Sequence, residues 1–131
     1  MKTILIVEDN EGFRGFIADF LRWRSFHVIE AADGVQGWEL AIENKPDLIL
    51  SDIYMPRLNG YQLLERLQQD LDAAMIPVVL LATHATLEER DRALQLGAAD
   101  LLSKPTLPAR ILGTISTCLR GNLQGHRNSQ R

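Results

Sequence analysis

The sequence lacks the features of disulfide-bonded, membrane-spanning and secreted proteins. Its 131 residues include one cysteine, Cys118, which cannot form a disulfide within the chain and favours a reducing, cytoplasmic compartment. No apolar run approaches the roughly 20 residues of a membrane-spanning helix, and the opening Met-Lys-Thr shows no signal-peptide pattern, so no membrane partner is expected. The composition, 46% hydrophobic and 24% charged, is that of one ordinary globular domain.

Basic residues are too few to predict a nucleic-acid surface. Residues 101–131 contain five basic residues and no acidic one, a charge of +5, which leaves −8 on residues 1–100 of a chain whose net charge is −3. No aromatic residue accompanies these five basic residues. The pattern therefore favours a solvated face or a basic tail over direct contact with nucleic acid.

Strand-like and helix-like segments alternate five times along the chain, which predicts an α/β fold with a parallel sheet wound on both faces, a three-layer sandwich. The predicted strands are 3–7, 26–30, 47–51, 78–82 and 99–103. Periodicity is lost after residue 120, so residues 1–120 form the predicted domain and residues 121–131 a polar tail or the start of a linker. The residues expected to pack from the helices include Phe13, Phe16, Trp23, Trp38, Leu63, Leu64, Leu67 and Leu71.

Polar residues stand where four of the apolar runs end. Glu8 and Asp9 follow the first strand, Asp52 the third, Thr83 the fourth and Lys104 the fifth. The carboxyl ends of parallel strands meet at one edge of a sheet, where open α/β sheets bind ligands. Three carboxylates favour Mg²⁺, a hard cation with oxygen ligands. Asp52 is then a candidate nucleophile towards phosphorus, with Lys104 and the metal stabilising the transferred charge.

Four stretches of the chain resemble the receiver domain of two-component response regulators, over about residues 2–120. The resemblance implies a five-stranded, flavodoxin-like sheet of order 2-1-3-4-5 with five helices, and a *cis* Lys104-Pro105 peptide. The stretches are Ile4-Leu5-Ile6-Val7-Glu8-Asp9-Asn10, Pro46-Asp47-Leu48-Ile49-Leu50-Ser51-Asp52, Met55-Pro56-Arg57-Leu58-Asn59-Gly60 and Leu96-Gly97-Ala98-Ala99-Asp100-Leu101-Leu102-Ser103-Lys104-Pro105.

The same resemblance implies a role for each residue of the edge. Asp52 would accept a phosphoryl group from a histidine kinase or a histidine phosphotransfer protein. Thr83 would be the switch hydroxyl and Lys104 the partner of the phosphate. The metal would be held by Asp9, Asp52 and the backbone carbonyl of Tyr54, with Glu8 acting through water.

The resemblance also implies a signalling module that catalyses only its own phosphorylation and dephosphorylation, and is not otherwise an enzyme. Its output would pass through residues 86–120, the face formed by the fourth helix, fifth strand and last helix. A downstream domain, a downstream protein or a second copy of the chain would bind there.

Two positions depart from the family pattern. Leu101 stands where receivers usually carry an aromatic residue, and His84 follows Thr83 where a small residue is usual. These departures keep open a degenerate receiver, which binds a partner without phosphate. A second alternative is a Mg²⁺-dependent phosphatase with an aspartate nucleophile, but Tyr54 occupies the position at which such enzymes typically carry a second acid.

Overall fold

Five parallel strands form one sheet of order β2-β1-β3-β4-β5, which confirms the predicted flavodoxin-like, doubly wound topology. The computed structural model describes residues 1–123. Among these residues, no helix is both long and apolar enough to span a membrane. The strands are β1 (Thr3–Val7), β2 (His27–Ala31), β3 (Leu48–Asp52), β4 (Val78–Thr83) and β5 (Asp100–Lys104), and the helices are α1 (Glu11–Trp23), α2 (Gly34–Asn44), α3 (Gly60–Gln68), α4 (Leu87–Gln95) and α5 (Pro108–Leu123), with a 3₁₀ turn at Ala73–Met75.

Alternate residues of each central strand pack into two separate apolar layers, one on each face of the sheet. In β1, Ile4 and Ile6 pack with α1 and α5, whereas Leu5 and Val7 pack on the opposite face with α2, α3 and α4. All four of these side chains are fully buried. A strand covered on both faces needs apolar residues at every position, which explains the uninterrupted apolar runs of β1, β3 and β4.

Side-chain caps fix where four of the helices begin. Asn10 accepts a hydrogen bond from the Phe13 N–H at the start of α1, and Asp33 and Thr86 cap α2 and α4 in the same way. At α3, Asn59 and Gln62 form a reciprocal capping box. Since α1, α3 and α4 start beside the carboxyl edge of the sheet, these caps also set the positions of the loops at that edge.

The loop that follows Asp52 turns back tightly on its own strand. The N–H of Gly60 donates to the Ile53 carbonyl at 2.7 Å. A Cβ at residue 60 would overlap the backbone of Asp52 and Ile53, so only glycine permits this approach. The start of α3 is therefore held directly against the end of β3.

The structure corrects several details of the sequence prediction. Asp52, Thr83 and Lys104 are the last residues of their strands rather than the first residues after them. The third helix ends at Gln68, so Leu71 lies outside it and is 94% exposed. Trp23 was expected to pack but is 76% exposed, with the Arg24 guanidinium over its ring.

Three further observations concern Phe16, the Lys104-Pro105 peptide and the end of the predicted domain. Phe16 was also expected to pack, but it is 60% exposed. The Lys104-Pro105 peptide is *cis*, as the resemblance implies. Helix α5 continues through residues 121–123, while residues 124–131 of the predicted tail lie outside the described part of the chain. The division at residue 120 stays a prediction.

Candidate phosphoryl-acceptor site

The strand register brings the four predicted positions to one edge of the sheet. β1 and β3 are neighbours, which places the residues after Val7 beside Asp52. β4 and β5 pair to their last residues, Thr83 opposite Lys104. The parallel arrangement inferred from the apolar runs therefore brings the strand ends that carry these residues to one edge of the sheet.

Three carboxylates lie together at this edge. Glu8, Asp9 and Asp52 each offer an oxygen, and these oxygens all lie within 4.8 Å of one another. Glu8 and Asp52 are buried, whereas Asp9 is exposed. Hard oxygen ligands with an opening to solvent fit Mg²⁺, which keeps several of its waters. The acidic cluster thus fits a divalent cation in its ligand type and in its access.

Lys104 lies between the two buried carboxylates. Its Nζ is 2.6 Å from Glu8 Oε1 and 2.7 Å from Asp52 Oδ1. Among the described residues, no donor other than the Lys104 ammonium reaches this buried oxygen. Asp52 Oδ1 is therefore an oxygen with unused acceptor capacity, as a nucleophile or a metal ligand requires.

Burial and mutual repulsion set the protonation of the cluster. The pKa of Asp52 is raised to about 8, chiefly by burial and also by interaction with Glu8, while Lys104 acts in the opposite direction. Burial acts in the same direction on Glu8, but its contacts with Asp52 and Lys104 outweigh burial and hold its pKa below the ordinary value. Desolvation would lower the pKa of Lys104, yet both carboxylates raise it. Without a metal, Asp52 is consequently the member of the cluster that holds a proton near neutral pH.

Glu8 is held in place by two residues that the sequence analysis did not single out. The Asn10 N–H donates to Glu8 Oε2 at 2.9 Å, and Arg14 Nη1 donates to the Glu8 backbone carbonyl at 2.9 Å. Arg14 also pairs with Glu30 of β2 at 3.1 Å. The six-residue spacing from Glu8 to Arg14 carries no recognisable signal in the sequence, because the contact depends on how α1 returns over the end of β1.

The loop after Thr83 is tied to β5. The His84 N–H donates to the Lys104 carbonyl at 3.2 Å, and the Ala85 N–H donates to Ser103 Oγ at 3.0 Å. The Thr83 side chain is exposed, as is His84, which adopts a left-handed conformation with φ of 52°. A movement of this loop would therefore involve the backbone around Lys104 and the start of α4.

Leu101, by contrast, is 4% exposed and lies in the apolar layer beneath α4. The leucine therefore fills a position in the core.

Two contacts join the loop and helix after Asp52 to α4. The Tyr54 hydroxyl donates to Glu89 Oε2 at 2.6 Å, and this hydrogen bond is the main reason that the pKa of Tyr54 is raised. The Arg92 guanidinium lies 4.9 Å from the ring centroid of Tyr61, the second residue of α3. These contacts connect Tyr54 and the start of α3 directly to α4.

The fold and the acidic edge define a doubly wound α/β protein with a candidate site for a cation and a phosphoryl group. Comparison with known proteins assigns this protein to a family. The model of the response regulator receiver domain matches residues 4–116. The chain belongs to this family. Its members are signalling modules that are phosphorylated by histidine kinases or phosphotransfer proteins and bind Mg²⁺ at an acidic pocket.

Similar proteins include single-domain and much longer chains. The protein PilH of *Pseudomonas aeruginosa* is 35% identical over 121 residues, which are 92% of this chain and 100% of PilH. The structure of chemotaxis protein CheY4 of *Vibrio cholerae* superposes with a TM-score of 0.84 at 26% identity, covering 89% of this chain and 98% of CheY4. By contrast, the chain spans 50% of the transcriptional regulator RpaA of *Synechocystis* and 7% of histidine kinase P4 of *Formosa agariphila*.

Proposed function

We propose that this chain is a working phosphoacceptor switch, in which Asp52 receives a phosphoryl group from a histidine kinase or a histidine phosphotransfer protein. The observation that carries the proposal is the position of the buried Asp52 carboxylate, between the Lys104 ammonium at 2.7 Å and the carboxylates of Glu8 and Asp9. A binding module without phosphoryl chemistry would have no need to bury two carboxylates side by side, since their repulsion lowers stability.

The proposed reaction needs little covalent chemistry from the protein. An Asp52 oxygen forms a bond to phosphorus as the phosphorus–nitrogen bond to the donor histidine breaks, and the electron pair of that bond returns to the imidazole nitrogen, which takes up a proton. Lys104 stabilises negative charge on the transferred group. Thr83 ends β4, the strand between those of Asp52 and Lys104, and supplies a hydroxyl that can donate to a phosphoryl oxygen.

Asp9, Asp52 and the backbone carbonyl of Tyr54 would hold Mg²⁺ in this proposal, with Glu8 acting through water. When bound, the ion would neutralise charge on the phosphoryl oxygens and favour the ionised form of Asp52. The chain contributes the rest: Asn10 and Arg14 orient Glu8, and Glu8 together with Asp52 holds the Lys104 ammonium.

The proposed output passes through the face of α4, β5 and α5. A groove of about 630 Å³ lies there, with Arg90 and Arg110 among its lining residues. Leu87 and Leu107 also line it and are 81% and 73% exposed. Arg90 is already paired with Asp100 of the same groove at 2.9 Å, so Arg110 and the apolar side chains are the groups that suit a partner segment with apolar and acidic residues, from an output domain, a separate protein or a second copy.

Mass spectrometry of the intact protein tests the proposal. The protein is incubated with acetyl phosphate and Mg²⁺ at neutral pH, and one added phosphoryl group is expected in the wild type but not without Mg²⁺. Asp52→Asn should show no addition, whereas Asp91→Asn, which removes an exposed carboxylate on α4, should behave as the wild type. If the wild type takes up no phosphoryl group and also fails to bind beryllofluoride, the chain is instead a degenerate receiver that binds its partner without phosphate, the reading that Leu101 and His84 keep open.

A further inference from the structure

The Lys104 ammonium has a third neighbour besides the two carboxylates. The ring centroid of Phe13, in the first turn of α1, lies 4.6 Å from Lys104 Nζ. This distance is well inside the roughly 6 Å within which the face of an aromatic ring attracts a cation. The backbone of Phe13 is fixed because its N–H donates to Asn10 Oδ1 at 2.9 Å, in the cap of the helix.

The surroundings of Lys104 make this contact stronger than a surface one. The Lys104 side chain is 20% exposed, and its partners Glu8 and Asp52 are 1% and 7% exposed. A ring attracts a cation more strongly when water is largely excluded from the cation. Phe13 itself is half-buried against the layer that α1 and α5 form on the sheet.

We propose that Phe13 is a positioning residue for phosphoryl transfer, whose ring face holds the Lys104 ammonium beside Asp52. This inference rests on the proposed function and adds a residue to it. The chemical advantage follows from the nature of the ring. A further carboxylate at this place would add to the negative charge around the ammonium, whereas an uncharged ring attracts the ammonium without adding any charge to the site.

A graded change of the ring separates this role from packing. Phenylalanine analogues with one, two and three fluorine atoms on the ring lose electron density from the face stepwise while their size stays almost constant. Incorporated at position 13, they should slow phosphorylation by acetyl phosphate in step with the number of fluorines, reaching roughly threefold to tenfold for the trifluorinated ring. Because the same contact also stabilises the folded protein, the denaturation midpoint should fall slightly along the series, in the same order as the rates.

Phe20 provides a matched control. It lies two turns later on α1 and packs against the same apolar layer, but its aromatic neighbour is the Trp23 ring at 6.3 Å. The same three analogues at position 20 should leave the phosphorylation rate unchanged. Equal rates across the series at position 13, or an equal fall at both positions, would overturn the positioning role.

A second measurement is independent of phosphoryl transfer. In the NMR spectrum of the unmodified protein, the ε-methylene protons of Lys104 should be shifted upfield by the ring, and Phe13→Leu should abolish the shift. If the wild type phosphorylates normally but lacks this shift, the Phe13 inference alone fails. If the wild type takes up no phosphoryl group, the proposed function fails and the positioning role with it, even where the shift shows that the ring contact exists.

Discussion

Replacement of Asp52 by asparagine should stabilise the metal-free protein, and the gain should grow with pH. In the folded protein burial raises the pKa of Asp52 to about 8, against an ordinary value of 3.8. Between these values the folded protein binds one proton more than the unfolded chain. The free energy of unfolding of the wild type therefore falls as pH rises through this window. Asparagine resembles the protonated acid and carries no such dependence.

The size of the effect follows from the shift. Each pH unit between the two pKa values changes the free energy of unfolding by at most about 1.4 kcal/mol. From pH 5.5 to 7.5, the advantage of Asp52→Asn over the wild type should thus increase by about 2–3 kcal/mol, and it should level off above pH 8. Glu8 does not affect the comparison in this pH range. Its pKa is lowered from 4.5, so the stability that its ionised form contributes is lost only as the pH falls below 4.5.

Urea denaturation in the presence of EDTA, at half-unit steps of pH, measures the difference. Asp91→Asn controls for the loss of one carboxylate and should show no trend relative to the wild type. Adding Mg²⁺ should reduce the difference at high pH, because the ion binds ionised carboxylates and stabilises the folded wild type by mass action. An advantage of Asp52→Asn that stays constant from pH 5.5 to 7.5 would refute the assignment of the proton to Asp52.

Three further substitutions test the geometry around the site. Gly60→Ala should lower stability by about 2–4 kcal/mol, because its Cβ would overlap the loop backbone, whereas Gly113→Ala, where the Cβ meets open space, should be neutral or stabilising in the same urea titration. Tyr54→Phe removes the hydrogen bond to Glu89, and amide hydrogen exchange of α4 should become about twofold to fivefold faster; unchanged exchange would mean that the contact does not hold the helix. Leu101→Tyr should destabilise by about 1–3 kcal/mol in thermal denaturation, since the position is fully packed, and an unchanged transition would indicate room for a ring.

Much of the fold follows from the sequence because the central strands are covered on both faces. Their uninterrupted apolar runs, each ending in a polar residue, identify the strands and the edge where Asp52 and Lys104 meet. Each strand end lies within one residue of its prediction, because Asp52, Thr83 and Lys104 belong to the strands they were expected to follow and β2 ends at Ala31 rather than at residue 30. The family resemblance supplies the strand order, which composition and spacing leave open.

The errors share a physical cause. Helical spacing shows which residues lie on one side of a helix, but not which side faces the sheet or where the helix ends. In α1 the buried stripe contains Ile17 and Leu21, and Phe16 and Trp23 lie on a neighbouring stripe that reaches solvent. Leu71 continues the spacing of α3, but the helix has already ended. Contacts between distant segments, such as Phe13 with Lys104, leave no local pattern at all.

The charge of the site connects its metal to its nucleophile. Three carboxylates face one ammonium, an excess of two negative charges when all are ionised, and the metal-free protein relieves part of this excess by holding a proton on Asp52. A protonated carboxyl group is a poor nucleophile. A divalent cation matches the excess, favours the ionised form and so leaves Asp52 able to attack phosphorus. In the proposed function, the requirement for Mg²⁺ therefore arises from the same burial that raises the pKa of Asp52, and phosphorylation without the ion should become measurable first at the highest pH, where Asp52 ionises unaided.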